Sequence, residues 1–223
     1  TGGGCRATNY IPLLRKALND AGFSQVPVVS VSMGNKGVES NPGFKFTLPM
    51  IKRLVVAFLY GDLFERVVYR TRPYETEKGM VDQLHQDWLK RVEANVRNGS
   101  LTQFNHFMKK IIRTFDEIPL QKIKKPKVGV VGEILVKYSP TANNDIVRLL
   151  EEEGAEAVVP DIVGFMNYSL YNQIWKYENM GMSKQSKRLA EFAIKIIELV
   201  EKPMDKALRK SVRFDGIHSI YDM

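Results

Sequence analysis

Val128-Gly129-Val130-Val131-Gly132-Glu133 opens the stretch that decides the fold, and Ala157-Val158-Val159-Pro160 closes it. The first run follows Lys124-Lys125-Pro126-Lys127 and reads as an apolar strand that gives way to a turn-rich loop through Pro140. Thr141 can cap the next helix, which turns Ile146, Leu149 and Leu150 inward and stops at Gly154. The second run is another short apolar strand. Strand, loop, helix and strand make a βαβ unit, whose parallel strands join by a right-handed crossover. Ligands in such sheets sit beyond the carboxyl ends of the strands, which directs attention to the segment from Glu133 to Asn144.

Upstream, Ile11, Leu14, Leu18 and Ala21 recur at helical spacing up to Gly22, and Val26-Pro27-Val28-Val29-Ser30-Val31 has the β-branched character of a buried strand. A glycine-rich, polar loop from Met33 to Pro42 follows. From Leu48 to Phe115 the pattern is helical. Leu54, Phe58, Leu63 and Val67 form one stripe, and Met80, Leu84, Trp88 and Val92 another, with breaks at Arg72-Pro73 and Asn98-Gly99. Ser100 and Gln103 make a capping box for a further helix through Phe104, Phe107, Ile111 and Phe115. Downstream of the βαβ unit, helices run through Tyr168–Tyr177 and Ser183–Val200, the latter with Leu189, Phe192, Ile196 and Leu199 as its buried stripe. The expected organisation is an α/β segment 1–46 with a cysteine loop, a helical segment 47–120 inserted into it, and a βαβ unit with C-terminal helices in 121–223.

With 44% hydrophobic and 26% charged residues, the 223-residue chain has a globular composition that excludes disorder and a disulfide scaffold. Its net charge of +8 permits attraction to phosphates or acidic partners without selecting one. No RNP-type aromatic pattern accompanies the lysines at 122–127, so nucleic acid is not expected. The most apolar stretch, around Leu54 to Tyr60, is too short to cross a bilayer, and no membrane span is expected. The opening TGGGC has neither an initiator methionine nor a signal-like segment, so the sequence reads as a fragment of a larger protein.

Cys5 is the single cysteine, which excludes an internal disulfide and any metal site built wholly from thiolates of this chain. It follows three glycines, precedes a helix and adjoins Arg6, and both the helix start and the guanidinium favour thiolate over thiol. A metal or cluster ligand, a reactive thiol and an inert cysteine all remain open on that basis. The glycines lack the Lys-Ser/Thr of a phosphate loop, and the glycines at 129 and 132 lack the spacing of a dinucleotide turn. Glu133, Asn143 and Asn144 flank the expected ligand edge, where a carboxylate and two amides can orient a substrate or cap helices. His85, His106 and His218 have no neighbours at metal-ligand spacing, and no G-x-S-x-G elbow supports serine catalysis.

Two segments carry a family resemblance. Thr1-Gly-Gly-Gly-Cys5-Arg6-Ala-Thr-Asn-Tyr10, with its helix and Val26-Pro-Val-Val, resembles the cysteine-arginine motif of the 2-hydroxyacyl-CoA dehydratase component family. Val128-Gly-Val-Val-Gly-Glu133-Ile, with Asn143-Asn144 and Leu-Glu-Glu-Glu-Gly-Ala-Glu, resembles that family's next strand and helix. The chain is similar in particular to the dehydratase-like C-terminal region of CoA-substrate-specific enzyme activases. The resemblance implies a Rossmann-like parallel sheet and a cytoplasmic, anaerobic bacterial iron-sulfur protein with a [4Fe-4S] or double-cubane cluster. It further implies an ATP-hydrolysing activator as electron donor, in the same or another chain, and an acyl-CoA substrate. Only Cys5 falls on a cluster-ligand position, and the remaining ligands would lie outside this sequence. Arg6, Glu133, Asn143 and Asn144 are the candidate substrate-binding residues. The other expectation is a non-catalytic α/β module that binds a partner, CoA or a nucleotide, and oligomerisation is compatible with either.

Overall fold

A computed structural model describes residues 9–29, 47–181 and 183–217. The chain divides into two units, Thr1–Leu48 and Pro49–Met223. In the first, helix α1 (Tyr10–Asp20) buries none of its residues. It ends where Gly22 takes a positive φ of 81° and the Phe23 amide reaches back to the Leu18 carbonyl, a glycine-terminated C-cap. Val26 to Val29, expected as most of a buried strand, form none, and Val26 and Val29 are exposed. Ser30, Val31 and the glycine-rich loop to Pro42 lie outside the described residues.

The second unit contains α2 (Leu48–Tyr69), a 3-10 turn at Arg72–Tyr74, α3 (Met80–Asn98) and α4 (Leu101–Asp116). β1 (Lys127–Gly129), α5 (Ile134–Tyr138), α6 (Pro140–Asn143), α7 (Ile146–Glu152) and β2 (Glu156–Val158) follow, then α8 (Ile162–Met180) and α9 (Lys184–Leu208). Of the described residues 69% are helical, and the described strands form one two-stranded parallel sheet with Lys127 opposite Glu156 and Gly129 opposite Val158. The expected Rossmann-like α/β sheet is therefore wrong. β1 is exposed along its whole length, and three residues per strand cannot supply the apolar faces around which a doubly wound fold packs.

The core lies instead in the segment expected as an insertion. Val56, Leu59, Leu63 and Val67 of α2 pack with Trp88 and Val92 of α3 and with Phe104, Met108, Ile111 and Phe115 of α4, closed from above by Met204 and Leu208 of α9 and by Phe214. Each buried aromatic or aliphatic side chain contributes roughly 1.5–3 kcal/mol, so this group outweighs anything the small sheet offers. Arg213 donates to the carbonyls of Phe115, Asp116 and Ile118, satisfying the end of α4. The βαβ unit is tied to this core by a partly buried ion-pair network. The Arg72 guanidinium, 9% exposed, forks onto both oxygens of Glu151 in α7 and reaches Asp82 of α3, which also takes Arg148.

Two expected stripes come out differently. α7 buries Val147, while Leu149 stays half exposed. α9 buries Ala190, Ile194, Glu201, Met204 and Leu208, and leaves the whole stripe Leu189, Phe192, Ile196 and Leu199 exposed. Two apolar stripes lie on this helix, and periodicity alone does not say which one faces the core.

The turn between α3 and α4 follows the sequence closely. Ser100 caps α4 by accepting from the Gln103 amide, and buried Asn95 accepts from the Tyr60 hydroxyl at 2.6 Å while donating to the Ser100 carbonyl. Gly99 sits at φ 70°, and a Cβ there would lie 3.0 Å from the Arg53 backbone nitrogen of α2. Gly79, at φ 91°, has open space around it. Gly99→Ala is expected to cost more stability than Gly79→Ala by roughly 1–3 kcal/mol, since both pay for the positive φ and only the first pushes α2 away. Urea denaturation of the two variants checks this, and equal losses would contradict it.

Candidate functional site

Four carboxyl groups meet two cations beyond the carboxyl ends of β1 and β2. α2 is apolar nearly all round, yet carries Asp62, Glu65 and Arg66, which share a face because residues three and four apart are neighbours on a helix. β2 runs through Pro160 to Asp161, the N-cap of α8, and β1 leads through its loop to Lys137 and Tyr138 of α5. Glu201 enters from α9.

The first turn of α8 organises the group. Its leading amides have no partners within the helix, and the aligned peptide dipoles favour negative charge there. Asp62 Oδ1 accepts from the Ile162 amide at 2.9 Å and Oδ2 from Val163 at 3.0 Å, while Asp161 Oδ1 accepts from Gly164 at 3.0 Å. A Cβ at position 164 would stand 2.3 Å from Asp161 Oδ1, so any larger residue there would make the Asp161 carboxylate shift. Arg66 donates to Asp161 Oδ2 at 2.5 Å and to the Gly216 carbonyl at 3.1 Å. The Tyr138 hydroxyl donates to the Pro160 carbonyl at 2.5 Å, and Lys137 lies over the Phe165 and Tyr138 rings. Glu201 is only 8% exposed and makes no hydrogen bond or ion pair with any described residue.

Four carboxyls against two cations leave the group two negative charges in excess if all ionise. A buried site resolves such an excess by holding protons. Burial, and then the charge on Asp161, push Asp62 up to about 7 against the pull of the two amides and Arg66. Burial, with Asp62 and Asp161, pushes Glu65 up to about 8, opposed by Lys137 and Arg66. Glu201 rises to about 8 through burial and the charges of Asp161 and Asp62. Burial lowers Lys137, and Glu65, Asp161 and Asp62 oppose that. The arrangement can therefore donate and accept protons near neutrality. Among the described residues, no three of His, Cys, Asp and Glu are placed to hold a metal ion.

Of the residues picked out from the sequence, Cys5 and Arg6 lie outside the described residues. Glu133 caps α5, accepting from the Leu135 and Val136 amides. Asn143 donates to the Val136 and Lys137 carbonyls and accepts from the Ile146 amide, and Asn144 takes a positive φ of 56°. All three thus shape the loop that aims Lys137 and Tyr138. Sequence reasoning missed Asp62, Glu65, Arg66, Asp161 and Glu201. The available signal was Asp62, Glu65 and Arg66 inside the otherwise uncharged run Leu54–Tyr69 of α2, together with the Asp-x-x-Gly start of α8.

The sign of the pH dependence follows from these shifts. Folded Glu201 keeps its proton to about pH 8, whereas an unfolded glutamate loses it near 4.3. The folded state binds more protons between those values, so stability is greatest below the window and falls as pH rises through it. Each such group contributes at most about 1.4 kcal/mol per pH unit. Glu201→Gln is expected to flatten the fall between pH 5 and 8 by about one proton and to make the protein more stable than wild type at pH 9. Melting curves across that range decide it, and an unchanged slope would mean that Glu201 is ionised when folded.

The chain matches no protein-family model, no curated protein and no solved structure. Among the described residues, no helix is long and apolar enough to cross a membrane.

Proposed function

We propose that this chain is the dehydratase-like part of an activase-related acyl-CoA system, in which the buried carboxyl group at the start of α8 handles the protons of 2-hydroxyacyl thioester dehydration. The observation that carries the reading is that group of acids, holding protons near neutrality beside Lys137 and Arg66 and beyond the ends of two parallel strands. Loss of water from a 2-hydroxyacyl thioester breaks a C–O bond and a β C–H bond, so it needs a proton donor for the departing hydroxyl and an acceptor for the β proton. Protonated Glu65 or Glu201 fits the first role and ionised Asp62 the second. Arg66 and the α8 amides would hold Asp62 and Asp161 in place while charge moves.

The resemblance of the segments around Cys5 and Val128–Glu133 supports the same reading, with Cys5 contributing one thiolate to an iron-sulfur cluster. One cysteine cannot hold such a cluster, and no described residues form a metal site, so none of the proton steps above runs through it. An ATPase activator domain would be the electron donor, acyl-CoA the substrate and the cytoplasm the compartment. A second reading, a non-catalytic interaction module, is favoured by the way Glu133 and Asn143 are spent on the loop itself.

Iron and acid-labile sulfide content, with EPR after dithionite, on the anaerobically purified full-length protein and its Cys5→Ala variant tests the proposal. Iron with a reduced-cluster signal that disappears in the variant is expected. A protein that stays iron-free after reconstitution would leave the interaction module as the better account.

A further inference from the structure

Residues 185–202 of α9 carry an unused seam. Leu189, Phe192, Ile196 and Leu199 are 64, 62, 46 and 71% exposed, and their 3-4-3 spacing is the a/d repeat of a coiled coil. Arg188, Lys195 and Lys202 repeat every seven residues beside that seam, in the g positions. Among the described residues, none of the three makes an ion pair, whereas nearby Lys187 pairs with Glu178 and Glu191. The opposite face of the helix is already buried through Ala190, Ile194, Met204 and Leu208, the last two in the core. Pro203 ends the register, so the seam from Arg188 to Lys202 spans roughly 21 Å at 1.5 Å per residue.

We propose that this seam docks an amphipathic helix of a partner protein that carries apolar residues at a and d and carboxylates at its flanking positions. The charges decide the occupant. A second copy laid antiparallel would set Arg188, Lys195 and Lys202 against their own equivalents. Laid parallel, it would offer them the e positions, Ala193 and Val200, which carry no carboxylate. An anionic membrane surface would meet Glu191 and Glu198 on the same polar flank, and the apolar stripe is the narrow two-position kind rather than the broad face of an interfacial helix. An acidic helix alone satisfies the exposed apolar row and the unpaired cationic row together.

The test uses the full chain and two synthetic three-heptad helices with Leu at a and d, one with Glu and one with Lys at e and g. Binding is followed by fluorescence anisotropy. The acidic helix is expected to bind and the basic one not to, with affinity falling as salt rises. The triple change Arg188→Glu, Lys195→Glu, Lys202→Glu should weaken the acidic helix by at least about tenfold and admit the basic one. Phe192→Ala with Leu199→Ala should abolish binding of the acidic helix, and far-UV circular dichroism should be unchanged because all these residues are exposed. The wild-type contrast between the two peptides decides the matter even if a variant fails to fold. Equal binding of both peptides, or of neither, overturns the proposal. So does capture by phosphatidylserine vesicles without peptide binding, or a self-association that Phe192→Ala removes.

Discussion

Asp62 stands in the middle of the most deeply buried helix and accepts the first two free amides of α8. That contact joins the helical core to the segment leaving β2, and much else depends on it. A lone aspartate among Leu59, Leu63 and Phe64 would be costly, and so would bare amides at the start of a nineteen-residue helix. Each removes the other's penalty. Asp161 takes the third amide and Arg66 holds Asp161, so the start of α8 is fastened to α2 at several points.

The same fastening creates the chemical character of the site. Satisfying α8 with two aspartates leaves little stabilisation for further negative charge, and Glu65 and Glu201 are close enough to feel both. Their carboxyls keep protons because burial and like charge act in one direction, while Arg66 and Lys137 offset only part of the excess. Structural ion pairs elsewhere behave differently. Asp82, in the Arg72 and Arg148 network, is held below the usual range by its partners even though burial opposes them. One cluster is balanced and fixes α3 to α7; the other is unbalanced and can exchange protons.

The two faces of α9 divide its work. One supplies Met204 and Leu208 to the core and Glu201 to the carboxyl group, and the other presents an apolar seam with a cationic edge. Any partner held on that seam would bear on the same helix that positions Glu201, which gives docking and proton handling a common structural element.

By itself, the sequence determined the helical middle of the chain, the breaks at Arg72-Pro73 and Asn98-Gly99, the Ser100 cap and the two short strands, because these rest on local rules of capping, glycine conformation and residue spacing. The parallel pairing was legible from strand, helix and strand in succession. Only the tertiary structure decided that the helices are the core and the sheet a small appendage, since the weight of each layer depends on how much apolar surface meets across elements. It also decided which of the two stripes of α9 is buried, a choice that periodicity leaves open. The carboxyl group was hidden for a similar reason. Asp62, Asp161 and Glu201 lie far apart along the chain, and the charge excess that makes them hold protons exists only once α2, α8 and α9 bring them out of water together.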